Sequence, residues 1–306
     1  MNPIQLLSFQ TDDALAAAAA EAWLDAIAAT TAAGKDFTVA LSGGRVMRTF
    51  LAAATALAAA RAMDFRQVQF FWADERCVPP DDPESNFRLA NEALLQPAAV
   101  PAENIHRLLG EHEPAAAAQA ATRQLCHVCG TAAGELPALD LVLLGMGEDG
   151  HLASIFPDDA ASAADVTAVF LPVYDAPKPP PHRISLGYGA LAAARTVWVL
   201  ASGPGKQTAL RQSLAAADTT PHAVDLGDAG TRQVEAVGVR RAVRLSSPKS
   251  QSSCRMPAPR GPGILPGTSF QTTQIAKSSV LSGTTPLAQL LQRRVMTTIF
   301  TDIDCE

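Results

Sequence analysis

The chain has 306 residues, 48% of them hydrophobic, and a mean hydropathy of +0.10, enough apolar surface for one large or two ordinary domains. A net charge of −6 and a pI of about 5.5 argue against general affinity for nucleic acid or for anionic membranes. Met1-Asn2-Pro3-Ile4 carries no basic leader and no apolar run approaches the roughly 18 residues of a membrane span, so a soluble cytoplasmic protein is expected.

In chain order, Ile4 to Phe9 reads as a short strand, and Thr11-Asp12 as the start of an alanine-rich helix running to about Thr30. A pattern then repeats. Phe37 to Leu41 is a β-type run ended by Ser42-Gly43-Gly44 and followed by a helix to about Met63. Val68 to Ala73 is another, ended by Asp74-Glu75-Arg76, with a Pro-containing loop and a helix over about Asn86 to Leu95. Leu139 to Gly145 is a third, delivering Gly147-Glu148-Asp149-Gly150-His151. Arg183 to Leu186 and Thr196 to Ala201 follow, the latter ended by Gly203-Pro204-Gly205-Lys206 and a helix, and Thr297 to Thr301 is the last strand. This alternation predicts an α/β fold, a mainly parallel sheet with helices on both faces in a Rossmann-like three-layer sandwich.

Asp218 to Gly283 breaks the pattern. From Ser246 onward Ser, Thr, Pro and Gly dominate, a composition that buries too little apolar surface to offset the entropy of ordering. The segment holds eight Lys/Arg and four Asp/Glu in a chain that is otherwise acidic. Asp218-Thr219-Thr220-Pro221 is echoed by Gly283-Thr284-Thr285-Pro286, as if the fold pauses at one and resumes at the other. The reading is therefore a catalytic domain of residues 1–217 and 284–306 interrupted by an insertion at 218–283. Cysteines at 77, 126, 129, 254 and 305 form no regular framework. Cys126-His127-Val128-Cys129 has CxxC spacing without a second ligand pair, so ordinary reduced thiols and no metal are expected.

Turns that follow parallel strands share one edge of the sheet, so their side chains converge. Ser42-Gly43-Gly44 exposes backbone N–H groups where a helix begins, which suits a phosphate. Arg76, Arg183 and Lys206 lie near loop ends, where cations neutralise a phosphate through charge-assisted hydrogen bonds. His151 offers a base near neutral pH, and Asp149 is close enough in the chain to orient it. An isolated Asp-Gly-His is more often a turn with a capping His. Here it accompanies phosphate-type turns without a nucleophile elbow or a second metal-type His pair, which leaves acid–base chemistry on a sugar phosphate.

The stretch Leu144-Gly145-Met146-Gly147-Glu148-Asp149-Gly150-His151-Leu152-Ala153-Ser154-Ile155-Phe156-Pro157 resembles the central motif of the 6-phosphogluconolactonases of the pentose phosphate pathway. Trp72 to Pro79 with Ser85-Asn86 resembles their second motif, and Arg183 to Leu186 with Gly205-Lys206 their third. The resemblance spans roughly residues 4 to 217 and resumes at about 284. It implies hydrolysis of 6-phospho-D-glucono-1,5-lactone without cofactor or metal. His151 would be the general base and Asp149 its support. Backbone N–H groups of the Gly147–Gly150 turn would face the oxyanion, and Arg76, Arg183, Lys206 and the Ser42-Gly43-Gly44 loop would hold the phosphate. One departure is Arg45-Val46-Met47, where the family usually continues Ser-Thr-Pro. Glucosamine-6-phosphate deaminases share an Asp-Gly-His turn, but follow it with Phe-Asn-Glu-Pro and carry Asp-Glu-Tyr where this chain has Asp74-Glu75-Arg76. A non-catalytic sugar-phosphate sensor and a scaffold acting through the basic insertion are the readings from other classes. Oligomeric state is not legible.

Overall fold

Thr11 does begin a helix: its Oγ1 accepts a hydrogen bond from the Ala14 N–H at 3.2 Å, and Asp12 and Asp13 complement the dipole in the first turn. The structure, a computed structural model, describes residues 4–157, 167–216, 222–225, 285–292 and 297–303. The elements are β1 (Ile4–Ser8), α1 (Asp12–Thr31), β2 (Phe37–Leu41), α2 (Arg45–Ala60), β3 (Val68–Trp72), β4 (Asp74–Arg76), α3 (Asn86–Ala90), α4 (Pro114–Val128), β5 (Leu141–Gly145), β6 (Phe170–Val173), β7 (Arg183–Leu186), α5 (Tyr188–Ala193), β8 (Val197–Ala201), α6 (Gln207–Ala216), β9 (His222–Asp225), α7 (Pro286–Gln292) and β10 (Thr297–Thr301).

Seven strands form one parallel sheet in the order β3-β2-β5-β8-β10-β1-β9. β2, β8 and β10 are buried along their whole length, as strands of a doubly covered sheet are, β10 with three threonines among its five residues. From β1 the chain steps to β2 and β3 in one direction, then reverses through β5 and β8. Right-handed crossovers put the helices of the two directions on opposite faces. α1 accordingly packs on α2, and α6 on α7. The direction changes between β2 and β5, so the crevice beyond their carboxyl ends is the switch point where such sheets bind ligands.

Few aromatics do much of the packing. Trp23 of α1 is fully buried, with its ring centroid 5.5 Å from that of Phe50 and 6.3 Å from that of Phe70. Burying each such side chain is worth about 1.5–3 kcal/mol. Buried Ala16, Ala19 and Ala20 complete the inner face of α1.

Three expectations change. Arg183 to Leu186 does not join the parallel sheet; it pairs antiparallel with β4 and β6 in a separate sheet of order β4-β7-β6. All four residues of β7 are buried, so no alternation distinguishes it from a parallel core strand. The helix expected over Asn86 to Leu95 is α-helical only to Ala90, then widens into a π turn over Asn91–Leu95, closed by Gln96 N–H to the Asn91 carbonyl at 3.0 Å. β9, in the segment read as an insertion, pairs with β1 at the sheet edge. The rest of that segment, residues 218–221 and 226–283, lies outside the described residues. Cys126 sits in the last turn of α4 and Cys129 caps it, both as free thiols. No helix among the described residues is long and apolar enough to cross a membrane.

Candidate active site

The turns that end β2, β5 and β8 meet at the switch point. A β-carbon on Gly145 would stand 3.5 Å from the Gly43 carbonyl, one on Gly205 2.7 Å from Glu148 Oε1, and one on Gly203 3.1 Å from Arg45 Nη2. These three contacts place the Ser42–Gly44, Gly147–His151 and Gly203–Lys206 turns side by side, as the sequence predicts. Asp302, just beyond β10, fixes the third turn by accepting from Gly203 N–H at 2.9 Å and Ser202 Oγ at 2.8 Å.

His151 is held by its own turn. Gly147 N–H donates to the His151 carbonyl at 2.9 Å, Gly150 N–H to the Gly147 carbonyl at 3.0 Å, and Gly150 takes a φ of +85° that favours glycine. His151 Nδ1 lies 2.5 Å from Asp149 Oδ1, and the other carboxylate oxygen is 2.8 Å from Lys178 Nζ. Nδ1 therefore carries the proton in the neutral ring and Nε2 the lone pair. The imidazole is half-buried against Phe156, ring centroids 4.8 Å apart. Burial lowers its pKa, and the Lys178 charge adds to that, against Asp149 and Asp74, which raise it. Burial also works against the Asp149 carboxylate, but Lys178 and His151 outweigh it and hold Asp149 at about 2. At neutral pH the pair is a carboxylate beside a neutral imidazole.

The second sheet supplies the floor. Buried Asp74 accepts from Ser154 Oγ at 2.7 Å, and Asn86 Nδ2 donates to the Asp74 carbonyl at 2.8 Å. Glu75 accepts from the backbone N–H groups of Asn86 and Phe87, both at 2.7 Å, and of Arg76 at 2.8 Å; burial pushes its pKa up to about 7 against those donors. This carboxylate fixes the chain between β4 and α3, and with it Arg76. Arg183, expected on the phosphate, is 3% exposed and gives Nε to the Pro180 carbonyl at 3.0 Å and Nη2 to the Lys178 carbonyl at 2.9 Å, with Nη1 3.4 Å from Ser154 Oγ. Its guanidinium grips the loop that carries Lys178.

The anion side gathers elsewhere. Gly44 begins α2 at a φ of +99° without a side-chain cap, so the first N–H groups of that helix stay open. A groove of about 350 Å³ at this point is lined by Gly44, Arg45, Arg48, Arg76, Ser85 and Asn86, among others. Ser42 Oγ and Arg76 Nε are buried without a hydrogen-bond partner among the described residues. Lys206 is half-buried; burial, and then the charge of Arg45, lower its pKa. Among the described residues no three His, Cys, Asp or Glu side chains cluster as a metal site would. Sequence reasoning missed Lys178, Ser154 and the buried Asp74 carboxylate; only Asp74, at the end of β3, carried a positional signal.

The structure is thus a parallel α/β sheet with a His–Asp pair at its switch point and a groove lined by Arg45, Arg48, Arg76 and Glu84 beside it. The family described as glucosamine-6-phosphate isomerases/6-phosphogluconolactonase matches residues 10–231, and the chain belongs to it. It is 36% identical over 214 residues to the 6-phosphogluconolactonase of Mycobacterium tuberculosis, covering 69% of this chain and 85% of that one. To the 6-phosphogluconolactonase of Streptomyces coelicolor it is 32% identical over 246 residues, covering 78% and 89%. Among solved structures, that of the devB protein superposes with a TM-score of 0.62 at 34% identity, covering 71% of this chain and 87% of that one.

Proposed function

We propose that the chain hydrolyses 6-phospho-D-glucono-1,5-lactone to 6-phosphogluconate, the second step of the oxidative pentose phosphate pathway, with His151 as general base. The observation that carries this is the hydrogen bond from His151 Nδ1 to Asp149, which leaves Nε2 free to accept a proton at the switch point. In this reading Nε2 takes a proton from water as its oxygen attacks the lactone carbonyl carbon. The tetrahedral oxyanion is met by N–H groups of the Gly147–Gly150 turn. Collapse breaks the bond to the ring oxygen, which receives the proton back from the imidazolium and leaves as the C5 hydroxyl. Positioned acid–base catalysis of this kind is worth roughly 10²–10⁴-fold.

The phosphate lies at the open end of α2, between the Gly43-Gly44 turn, Arg76 and Lys206. Arg45 replaces the hydroxyl residues usual in the family and turns its guanidinium toward the Gly203 loop, where it adds charge beside Lys206. Arg183 acts indirectly, through the loop it grips. The catalytic unit comprises residues 1–217 and 284–306 together with the edge strand β9, and the segment beyond β9 is an insertion. Purified protein is expected to hydrolyse freshly prepared lactone well above its spontaneous rate, and His151→Ala to lose most of that gain. A wild-type rate equal to the spontaneous one would sink the proposal.

A further inference from the structure

The loop 176–181 has a purpose beyond joining two strands. It is closed on itself by Ala176 N–H to the Pro181 carbonyl at 2.9 Å. Arg183, buried beneath it, donates to three successive carbonyls, those of Lys178, Pro179 and Pro180, at 2.9, 3.3 and 3.0 Å. Four of the five residues from Pro177 to Pro181 are proline, which fixes φ and leaves little backbone freedom. The one side chain with reach on this rigid strap is Lys178, and its ammonium meets Asp149 Oδ2 at 2.8 Å. Asp149 thus bridges two partners, Lys178 through one oxygen and His151 Nδ1 through the other.

We propose that Lys178 is a positioning residue of the His151–Asp149 pair: held by the strap that Arg183 grips, its ammonium locks the Asp149 carboxylate against the imidazole. A carboxylate with both oxygens engaged cannot rotate away, so the Nδ1–H tautomer and the aim of Nε2 are fixed. The lysine has an electrostatic consequence as well. The charged groups that act on His151 are Asp149 and Asp74, which favour the imidazolium, and Lys178, which disfavours it. Removing the lysine leaves the two carboxylates less opposed and makes the ring easier to protonate.

The kinetic arm of the test rests on the lactonase reading; the spectroscopic arm does not. Lys178→Met keeps the carbonyl that Arg183 binds, so the strap stays in place while the charge is lost. By NMR, the His151 titration midpoint of the resting protein is expected to rise in Lys178→Met and to return toward wild type in Lys178→Arg. In kcat/KM profiles on the lactone, the acid limb of Lys178→Met should move to higher pH, costing about threefold to tenfold near pH 6, with a smaller loss on the plateau. An unchanged His151 midpoint together with an unchanged Nδ1–H tautomer, read from the ring nitrogen shifts of folded Lys178→Met, overturns the proposal. A shifted midpoint in a protein without lactonase activity upholds it and overturns the functional reading instead.

Discussion

Gly147→Ala tests the site without replacing a functional side chain. A β-carbon at this position would stand 2.1 Å from His151 Nδ1 and 2.4 Å from Asp149 Oδ1, where carbon needs about 3.4 Å or more. Both side chains must therefore retreat by about 1 Å, and a displacement of that size at a catalytic group costs on the order of 10²-fold. Complete loss of the base sets the upper limit at roughly 10⁴-fold. The fold has little at stake, because alanine keeps the Gly147 N–H and carbonyl bonds that close the turn. Restricting the unfolded chain stabilises by about 0.4–1 kcal/mol. A weakened, partly exposed His–Asp contact loses about 1 kcal/mol, so the two nearly cancel. Initial rates on fresh lactone, corrected for spontaneous hydrolysis, should fall at least about 10²-fold while Tm stays within about 4 °C. A folded Gly147→Ala protein within threefold of wild type would refute the placement of the base.

Other outcomes follow from the same geometry. The proposed base His151 would act only when neutral, and burial lowers its pKa, so kcat/KM should be flat through neutral pH and decline with acid only below about 6.5, the ordinary imidazole value; a limb above that value would contradict the burial argument. In the proposed substrate pose Lys206→Ala would remove a charge-assisted contact worth about 1.5–3 kcal/mol, so kcat/KM on the phosphorylated lactone should drop about 10–100-fold while hydrolysis of unphosphorylated glucono-1,5-lactone barely changes; equal losses on both would take Lys206 off the phosphate. Gly43→Ala would place a β-carbon 1.8 Å from Oδ1 of Asn86, a residue only 1% exposed, so thermal unfolding should show a loss of about 1–3 kcal/mol; an unchanged Tm would mean that Asn86 yields freely.

The strand ends were legible because a covered parallel strand is a continuous apolar run, and the turn after it interrupts that run with glycine or charge. Ser42-Gly43-Gly44, the Gly147–His151 turn and Gly203 to Lys206 stand out for this reason. Their convergence follows from the shared direction of the strands. The second sheet was not legible, since β4 has three residues and β7 four buried ones, too few to display a period. Sequence shows charge and not direction, which is why it puts Arg183 on the phosphate, whereas the structure turns it toward the carbonyls at 178–180. Lys178 carries no sequence signal, because a proline run has neither period nor cap. Its contact with Asp149 depends on a fold that brings residues 149 and 178 together across β6.

The two sheets also divide the chemistry. The parallel sheet ends in glycine turns, and what glycines expose is backbone N–H groups: donors with no proton to lose near neutral pH. The small sheet brings the buried ionisable groups, Asp74, Glu75 and Arg183, each already engaged by protein partners. His151 stands on a turn of the first, where burial disfavours the imidazolium and Asp149 favours it. Substrate closing over it would remove more water, favouring the neutral ring still further. The attack step is therefore best served by a fixed counterion such as Asp149, which stabilises the imidazolium as it forms without holding a proton on the ring beforehand.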